Sequence, residues 1–307
     1  MLFDVGKQKI SSHFLSDTYI VPPFSVFNTF TQYWRERLKA WSDLGLYTSD
    51  GRDAKLAYDN RRIDKHRPKQ NHNGTSIFNP VVAEILIRWF SRKDDIVFDP
   101  FAGSITRGAI SCILDRQYVG IDLSKSQVDA NIKWWKSFTD KYDVKYDPEW
   151  ICGDSVCEEF HKCNMIFTCP PYYNLEQYSD DPKDLSNCDN YNDFLNIYTK
   201  ILRKCYNILV EDSFACIVVS DIRDKRTTEY YGFVADTVKA MQSVGFKFYN
   251  EIILFNQTGN LAITSGNYFD TMRKVGRQHQ NILVFYKGDT KHIKEKFGKF
   301  EEARRLI

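Results

Sequence analysis

Residues 164–173, with the sequence NMIFTCPPYY, form an apolar run that stops at two prolines followed by two tyrosines. Because paired prolines fix two φ angles and remove two backbone donors, the run predicts a buried strand that ends in a rigid loop. The carbonyl groups of this loop remain available as acceptors, and a tyrosine beside them offers a flat face on which a nucleobase can stack, worth about 1–3 kcal/mol per base. Acceptors next to a stacking face suit an exocyclic amino group, although Pro-Pro-Tyr alone would indicate only a rigid turn.

Three acidic residues, Asp99, Asp122 and Asp154, each follow another short apolar run. A single acid at the end of a strand is usually a helix cap. In an open α/β sheet, however, ligands bind beyond the carboxyl ends of the strands, where the strand order reverses. Three acids and the Pro-Pro loop at four successive strand ends therefore predict one ligand site that these strands share.

The elements that must position these residues are seven strand-like runs that alternate with helix-like segments. This alternation predicts an open, Rossmann-like α/β sheet of seven mostly parallel strands with helices on both faces. The runs lie at residues 95–99, 117–121, 150–154, 164–169, 214–219, 246–255 and 280–286. A helical pattern at 30–46 and a Pro-Pro-Phe turn at 22–24 lie upstream, so residues 1–75 are predicted to form an N-terminal appendage that is helical and irregular.

Composition limits the possible partners and the compartment. The 307 residues contain 43% hydrophobic residues, enough for one large core, and 42 Lys+Arg against 40 Asp+Glu give a net charge of only +2. Any surface for nucleic acid must therefore be local. Because there is neither an apolar run of about 18 residues nor an apolar signal core, we expect an intracellular protein without a membrane span. The eight cysteines contain no Cys-x-x-Cys, which favours buried thiols over disulfides or zinc ligands.

The segment Asp99-Pro100-Phe101-Ala102-Gly103 and the loop Cys-Pro-Pro-Tyr resemble two motifs of a known enzyme family. This is the family of S-adenosylmethionine-dependent methyltransferases that modify amino groups of cytosine or adenine in DNA. The resemblance spans residues 76–287 and is closer to a phage-encoded subgroup, through residues 168–187, 220–226 and 276–289. It implies a methyltransferase domain at 76–288, with a target-recognition insert at 256–279, followed by a charged tail at 289–307. The implied catalytic residues are Cys169, Pro170, Pro171 and Tyr172.

The cofactor that the resemblance implies is S-adenosylmethionine. In the family, the glycine at the position of Gly103 lets the backbone approach the ligand, an acid at Asp122 accepts the ribose hydroxyls, and an acid at Asp154 binds the adenine amino group. The segment before Pro80 matches the one that holds the carboxylate of the cofactor at a helix N-terminus. The implied cofactor-binding residues are Ser76, Phe78, Asn79, Asp99, Phe101, Ala102, Gly103, Asp122, Leu123, Asp154, Ser155 and Thr168. Residues 104–108 depart from the family's usual Gly-Ser-Gly continuation.

Cys169 stands where the family usually has Asp, Asn or Ser, and a thiol is a weak acceptor. We expect the Pro170 carbonyl to orient the amine, helped by Thr168 or a water, and the similarity of Cys to Ser favours cytosine slightly. A rival chemistry would use Cys169 as a nucleophile toward a pyrimidine ring carbon, but enzymes of that kind place Pro before the Cys. An RNA amino-methyltransferase and a DNA-binding relic are further alternatives, and the retained acids oppose the relic.

The expected partner is duplex DNA with its target base flipped out, as chemistry at the amino group requires. The candidate nucleic-acid contacts are Arg61, Arg62, Lys65, Tyr173, Arg273, Lys274 and Arg277. The basic segment 52–72 could bind phosphates, although such charge runs are usually solvated. Neither the recognition sequence nor the oligomeric state follows from these patterns.

Overall fold

The computed structural model describes residues 15, 18–47, 77–174, 181–256 and 261–300. Within these ranges, the strands are β1 Val26–Asn28, β2 Ile96–Asp99, β3 Gln117–Asp122, β4 Glu149–Cys152, β5 Cys163–Thr168, β6 Leu209–Val219, β7 Lys247–Phe255 and β8 His279–Lys287. The helices are α1 Gln32–Asp43, α2 Pro80–Phe90, α3 Thr106–Ile113, α4 Lys125–Thr139, α5 Tyr191–Ile208, α6 Phe233–Val244, α7 Leu261–Met272 and α8 Ile293–Phe297, with 3₁₀ turns at Leu185–Asn187 and Thr290–His292.

The strands form one sheet in the order β1-β7-β8-β6-β5-β2-β3-β4. Neighbouring strands are parallel except where β8 pairs with β6 and β7. The chain runs outward from β2 through β3 to β4 and then returns to place β5 on the other side of β2. The strand order therefore reverses between β2 and β5, and their carboxyl ends flank a crevice of the kind that holds ligands in such sheets. The predicted α/β fold class is confirmed.

Helices cover both faces of the sheet, because successive strand residues point in opposite directions. Val97 and Met165 belong to the core under α1–α4, whereas their neighbours Phe98 and Ile166 belong to the core under α5 and α6. Four of the eight cysteines are buried in these cores, namely Cys112, Cys163, Cys205 and Cys216. Cys152 and Cys157 are exposed, so the expectation of buried thiols was wrong for these two.

The prediction of seven strands was short by one, because β1 lies in the part of the chain expected to be irregular. β1 has three residues, of which one is buried. A strand this short is too brief for its alternation of buried and exposed residues to be recognised in the sequence. It follows the turn at Pro22 and extends the sheet as a parallel edge strand beside β7. Next to it, α1 buries Trp34 and Trp41 completely in the core that α2 shares.

A helix that was not predicted, α7, lies within the proposed insert 256–279. It follows the carboxyl end of β7 and therefore stands at the same end of the sheet as the strand-end acids. None of the α7 residues is buried, and Ile263 and Phe269 are 69% and 48% exposed. Among the described helices, none combines the length and apolar character needed to cross a membrane.

Candidate active site

Asp99, the last residue of β2, is the centre of the site floor and is completely buried. Its Oδ1 accepts hydrogen bonds from Thr168 Oγ1 at 2.6 Å and from the Phe101 backbone N–H at 3.0 Å. Its Oδ2 accepts from Arg107 Nε at 2.6 Å and from Tyr118 Oη at 3.1 Å. The carboxylate thus ties together β2, β3, β5, α3 and the loop after β2. From this buried position the Asp99 carboxylate supports the loop from beneath. A ligand bound at the surface would not touch the carboxylate.

Arg107 is one of two residues of the site rim and floor that the sequence reasoning missed. Its guanidinium is buried, donates to the Phe101 and Ala102 carbonyls at 2.7 and 3.0 Å, and lies 4.7 Å from the centre of the Phe78 ring. Burial acts to lower the pKa of Arg107, but the Asp99 carboxylate, together with the nearby Tyr118 and Cys169, holds that pKa above its ordinary value. A lone arginine in an otherwise uncharged helix was the available signal, and it falls in the segment that departs from the family's usual glycine pattern.

The loop after β2 is hydrogen-bonded to the end of β3. Ala102 N–H donates to the Ile121 carbonyl at 2.8 Å, and Gly103 N–H donates to Asp122 Oδ2 at 2.8 Å. The Gly103 carbonyl accepts from Asn131 Nδ2 of α4 at 2.8 Å. Gly103 has a φ of 57°, in the left-handed region that glycine adopts without strain. The loop is therefore held in one shape before any ligand arrives.

Asp122 remains half-buried at the mouth of this loop. Besides Gly103, the Ser124 N–H donates to it, at 2.8 Å to Oδ1. An ionised carboxylate only accepts hydrogen bonds, so hydroxyl donors are groups that suit it. Leu123 follows it and is also half-buried. The predicted contact of Asp122 with ribose hydroxyls is therefore compatible with its surroundings.

Asp154 lies two residues beyond β4 and is half-buried, and its Oδ1 accepts from the Val156 N–H at 2.8 Å. Ser155 is buried and its Oγ donates to the Pro100 carbonyl at 2.5 Å, which joins this loop to the one after β2. Lys204 of α5, a second residue that the sequence reasoning missed, donates to the carbonyls of Ser155, Val156 and Glu158. The loops after β2, β3 and β4 thus form one connected rim.

The Cys-Pro-Pro-Tyr loop continues directly from β5 on the other side of β2. Cys169 is half-buried, and its Sγ lies 3.9 Å from Tyr172 Oη. Pro170 is buried and Pro171 half-buried. The Tyr172 ring is 9% exposed, meets Phe233 edge to face with 6.2 Å between ring centres, and its hydroxyl accepts from Gln280 Nε2 at 3.2 Å. The structure thus brings Cys169 and Tyr172 together.

Tyr173 packs into an aromatic cluster. Its φ is 36°, an uncommon value for a residue other than glycine. The ring centres of Tyr191, Phe194 and Tyr231 lie 5.6, 5.6 and 5.5 Å away, and Tyr173 is only 6% exposed. The contact between Tyr173 and nucleic acid stays a prediction.

Before α2, Asn79 caps the helix by accepting from the Val81 N–H at 3.0 Å, and Phe78 packs on Phe167 with 5.6 Å between ring centres. The N-terminus of α2 therefore adjoins the floor of the site. Ser76 lies outside the described residues, as do Arg61, Arg62 and Lys65.

The predicted basic contacts after α7 fall into two kinds. Arg273 is 73% exposed, and Lys274 Nζ lies 5.5 Å from the Tyr268 ring centre. Arg277 instead donates to the Asn281 side chain at 2.7 Å and to the His279 carbonyl at 3.2 Å. These bonds hold its side chain against the start of β8.

A family model with the description DNA methylase, of the N6/N4 type, matches residues 16–133 and 163–305. Over 54 residues the chain is 41% identical to the orphan methyltransferase M.BamHII of Bacillus amyloliquefaciens; the segment is 18% of this chain and 20% of that protein. The chain therefore matches about a fifth of the length of this relative.

Among solved structures, TrmN of Thermus thermophilus is 14% identical with a TM-score of 0.45, over 68% of this chain and 49% of that one. The cyclopropane synthase MmaA2 of Mycobacterium tuberculosis is 12% identical with a TM-score of 0.45, over 80% and 98% of the respective chains. Likenesses this distant have no bearing on the reaction.

Proposed function

This chain belongs to the N6/N4-type DNA methylase family, and from that premise we propose that it transfers a methyl group from S-adenosylmethionine to an exocyclic amino nitrogen of cytosine or adenine in DNA. One observation carries the proposal. The Cys169–Tyr172 contact stands at the end of β5, across the reversal of strand order from the rim that carries Asp122 and Asp154. A stacking group on one side of the crevice and acids on the other are what a base-modifying methyltransferase requires.

The residues around the crevice fit the cofactor. Asp122 is a half-buried acceptor of the kind that suits ribose hydroxyls, Asp154 is half-buried and can accept from an amino group, and Gly103 carries no side chain to obstruct a ligand. When bound, S-adenosylmethionine supplies an electrophilic methyl group. Asp99 supports the backbone of residues 101–103 from below, through Arg107 and the Phe101 N–H, and does not contact the cofactor itself.

Within the catalytic loop, the Pro170 carbonyl accepts a hydrogen bond from the target amine and so orients the nitrogen lone pair. Cys169 contributes little as an acceptor because a thiol is a weak one. No group of the protein has to remove a proton before transfer, since alignment of the nitrogen with the methyl donor supplies most of the acceleration. Proton loss from the methylated nitrogen follows transfer, when that nitrogen has become strongly acidic.

A base in duplex DNA must be extruded to reach this loop, and Tyr172 provides the ring on which it stacks. The side of the crevice next to β6 and β8 is the one left for the base, because the acids line the side of β3 and β4. Cys169 is closer to serine than to aspartate, which favours cytosine slightly over adenine as the target. Arg61, Arg62 and Lys65, together with Arg273 and Lys274 beside α7, supply contacts to phosphates.

The resemblance of residues 168–187, 220–226 and 276–289 to phage-encoded DNA methylases supports membership of that subgroup. An enzyme of this kind acts in the cytoplasm of a bacterium or of a phage-infected host. The segment 256–279, which contains the exposed helix α7, serves as the target-recognition insert.

The decisive experiment is incubation of the protein with labelled S-adenosylmethionine and either duplex DNA or RNA, followed by mass analysis of the nucleosides. N4-methylcytosine or N6-methyladenine from DNA is the expected product. A methylated amino group in RNA alone would make it an RNA enzyme, 5-methylcytosine would establish the covalent route through Cys169, and no product would indicate a relic. The Tyr172→Ala variant, purified in parallel, controls for contaminating methylases of the expression host.

A further inference from the structure

Gln280, the second residue of β8, makes a side-chain contact with the catalytic loop from a distant part of the chain. Its Nε2 donates to Tyr172 Oη at 3.2 Å, across 108 residues of sequence. The other end of the same amide, Oε1, accepts from Asn256 Nδ2 at 3.4 Å. The two bonds use opposite ends of one amide group, so the side chain of Gln280 is held between β7 and the Pro-Pro loop.

Asn256 holds the end of the Gln280 amide that faces away from the tyrosine. Asn256 is the first residue after β7, and its backbone N–H donates to the Gln278 carbonyl at 3.0 Å, which fixes its own position beside β8. Its side-chain nitrogen donates to the oxygen of Gln280, and the nitrogen of Gln280 donates to Tyr172. The tyrosine oxygen therefore receives a hydrogen bond from this side.

The hydroxyl lies at the far end of the Tyr172 ring from the backbone, so a hydrogen bond there fixes the direction in which the ring points. On the backbone side, Pro171 restricts the loop, and Phe233 meets the ring edge to face with 6.2 Å between centres. Cys169 Sγ lies 3.9 Å from the same hydroxyl. The position of the ring is thus set from both ends.

We infer that Gln280, held by Asn256, is a positioning residue that keeps in place the Tyr172 ring on which the target base stacks. The inference rests on the proposed function and adds to it a residue that lies outside the catalytic loop. A base that stacks on a tilted ring presents its amino group away from the methyl donor, and a misplacement of about 1 Å can cost about 100-fold in rate. Gln280 therefore acts on the rate of transfer more than on the affinity for either substrate.

The test compares Gln280→Leu with Gln280→Met, which keeps the length and approximate volume of the side chain, under single-turnover conditions with saturating cofactor and DNA. Neither Leu nor Met can donate a hydrogen bond to Tyr172 Oη, so both variants should transfer the methyl group at least about 10-fold more slowly while S-adenosylmethionine affinity is unchanged. Gln242→Leu, on the exposed surface of α6, is the matched control and should behave as the wild type.

Two further readouts separate positioning from a general structural effect. In a Tyr172→Phe background, Gln280→Leu should cause no further loss of rate, because the hydroxyl through which it acts is gone. With 2-aminopurine at the target position, the Gln280 variants should show brighter fluorescence than the wild type, since a flipped base that is not stacked is less quenched.

Unchanged single-turnover rates in both Gln280 variants, or additive losses in the Tyr172→Phe background, would overturn the inference while leaving the proposed function intact. If Gln280→Leu lowers the melting temperature too far for assay, Gln280→Met decides the matter, because it is unbranched and close to Gln in length and volume. Absence of any methylated nucleoside from the wild-type reaction would refute the proposed function, and this inference with it.

Discussion

Arg107 Nε lies 2.6 Å from Asp99 Oδ2 in the floor of the site, and the two side chains are only 6% and 0% exposed. The pair connects the end of β2 to the first turn of α3, and Arg107 holds the carbonyls of the intervening loop at the same time. Removal of water from two charges is costly, and further hydrogen bonds offset that cost: Asp99 also accepts from Thr168, Tyr118 and the Phe101 N–H, and Arg107 Nη2 donates to two carbonyls. The loop over the cofactor site therefore owes its shape to a buried ion pair.

Arg107→Met should destabilise the protein by about 3–5 kcal/mol, because it leaves the Asp99 carboxylate buried without its counter-charge. Urea unfolding, followed by circular dichroism, measures the change in the free energy of unfolding. Lys125→Met is the control, since it breaks an ion pair with Asp129 in which both side chains are more than half exposed, and should change little. Equal effects of the two substitutions would contradict the importance assigned to Arg107.

Asp122→Ala should weaken S-adenosylmethionine binding by about 1.5–3 kcal/mol, because two charge-assisted hydrogen bonds to the ribose are lost. Part of the loss also reflects release of the Gly103 N–H. Isothermal titration calorimetry measures the affinity directly. Asp129→Ala, an exposed substitution on α4, serves as the control, and wild-type affinity in Asp122→Ala would remove this residue from the cofactor site.

DNA affinity should fall steeply with salt if the basic segments contact phosphates. The slope of log K against log salt concentration should flatten by about 0.9 for each phosphate contact that is lost. Fluorescence anisotropy over a salt series compares the wild type with the triple variant Arg61→Gln, Arg62→Gln, Lys65→Gln and with the double variant Arg273→Gln, Lys274→Gln. If a variant keeps the slope of the wild type, the mutated segment does not contact phosphates and is simply exposed to solvent.

Cys169→Ser should retain substantial activity, since serine has similar size and is the better acceptor, whereas Tyr172→Ala should lose the stacking ring and much of the rate. A covalent mechanism predicts the opposite order, because a serine hydroxyl is a far weaker nucleophile than a thiolate. Single-turnover assays with mass analysis of the product distinguish the two. An inactive Cys169→Ser variant together with a ring-carbon product would overturn the amino-directed mechanism.

Asp224, in the loop after β6, should contribute to stability in a pH-dependent manner. The Tyr231 hydroxyl and the backbone N–H groups of Thr227 and Arg226 donate to its carboxylate and lower its pKa to about 2. Because this pKa lies below that of the unfolded chain, the contribution is full above about pH 4 and is lost as the pH falls toward 2. The stability difference between wild type and Asp224→Asn should therefore shrink over that range in denaturant titrations, and a difference that stays constant would count against this account.

The sequence alone was sufficient for the fold class and for the order of the site elements. Asp99, Asp122, Asp154 and Cys169 were recognised because each directly follows or ends an apolar run, and the carboxyl ends of parallel strands meet at one edge of a sheet. Such information is local: a periodic pattern, a strand end and a helix stop lie within a few residues of each other. The strand β1 escaped detection because three residues with one buried side chain carry no period.

Only the tertiary structure decided which of these residues support the site and which line it. Asp99 is removed from the surface by Arg107 and Tyr118, and Tyr173 is turned into the aromatic cluster behind the loop. The contact of Gln280 with Tyr172 depends on β8 being inserted antiparallel beside β6, which places the beginning of β8 at the carboxyl end of β5 and β6. Strand order and direction arise from the packing of the whole chain, so no local pattern around residue 280 could have indicated that contact.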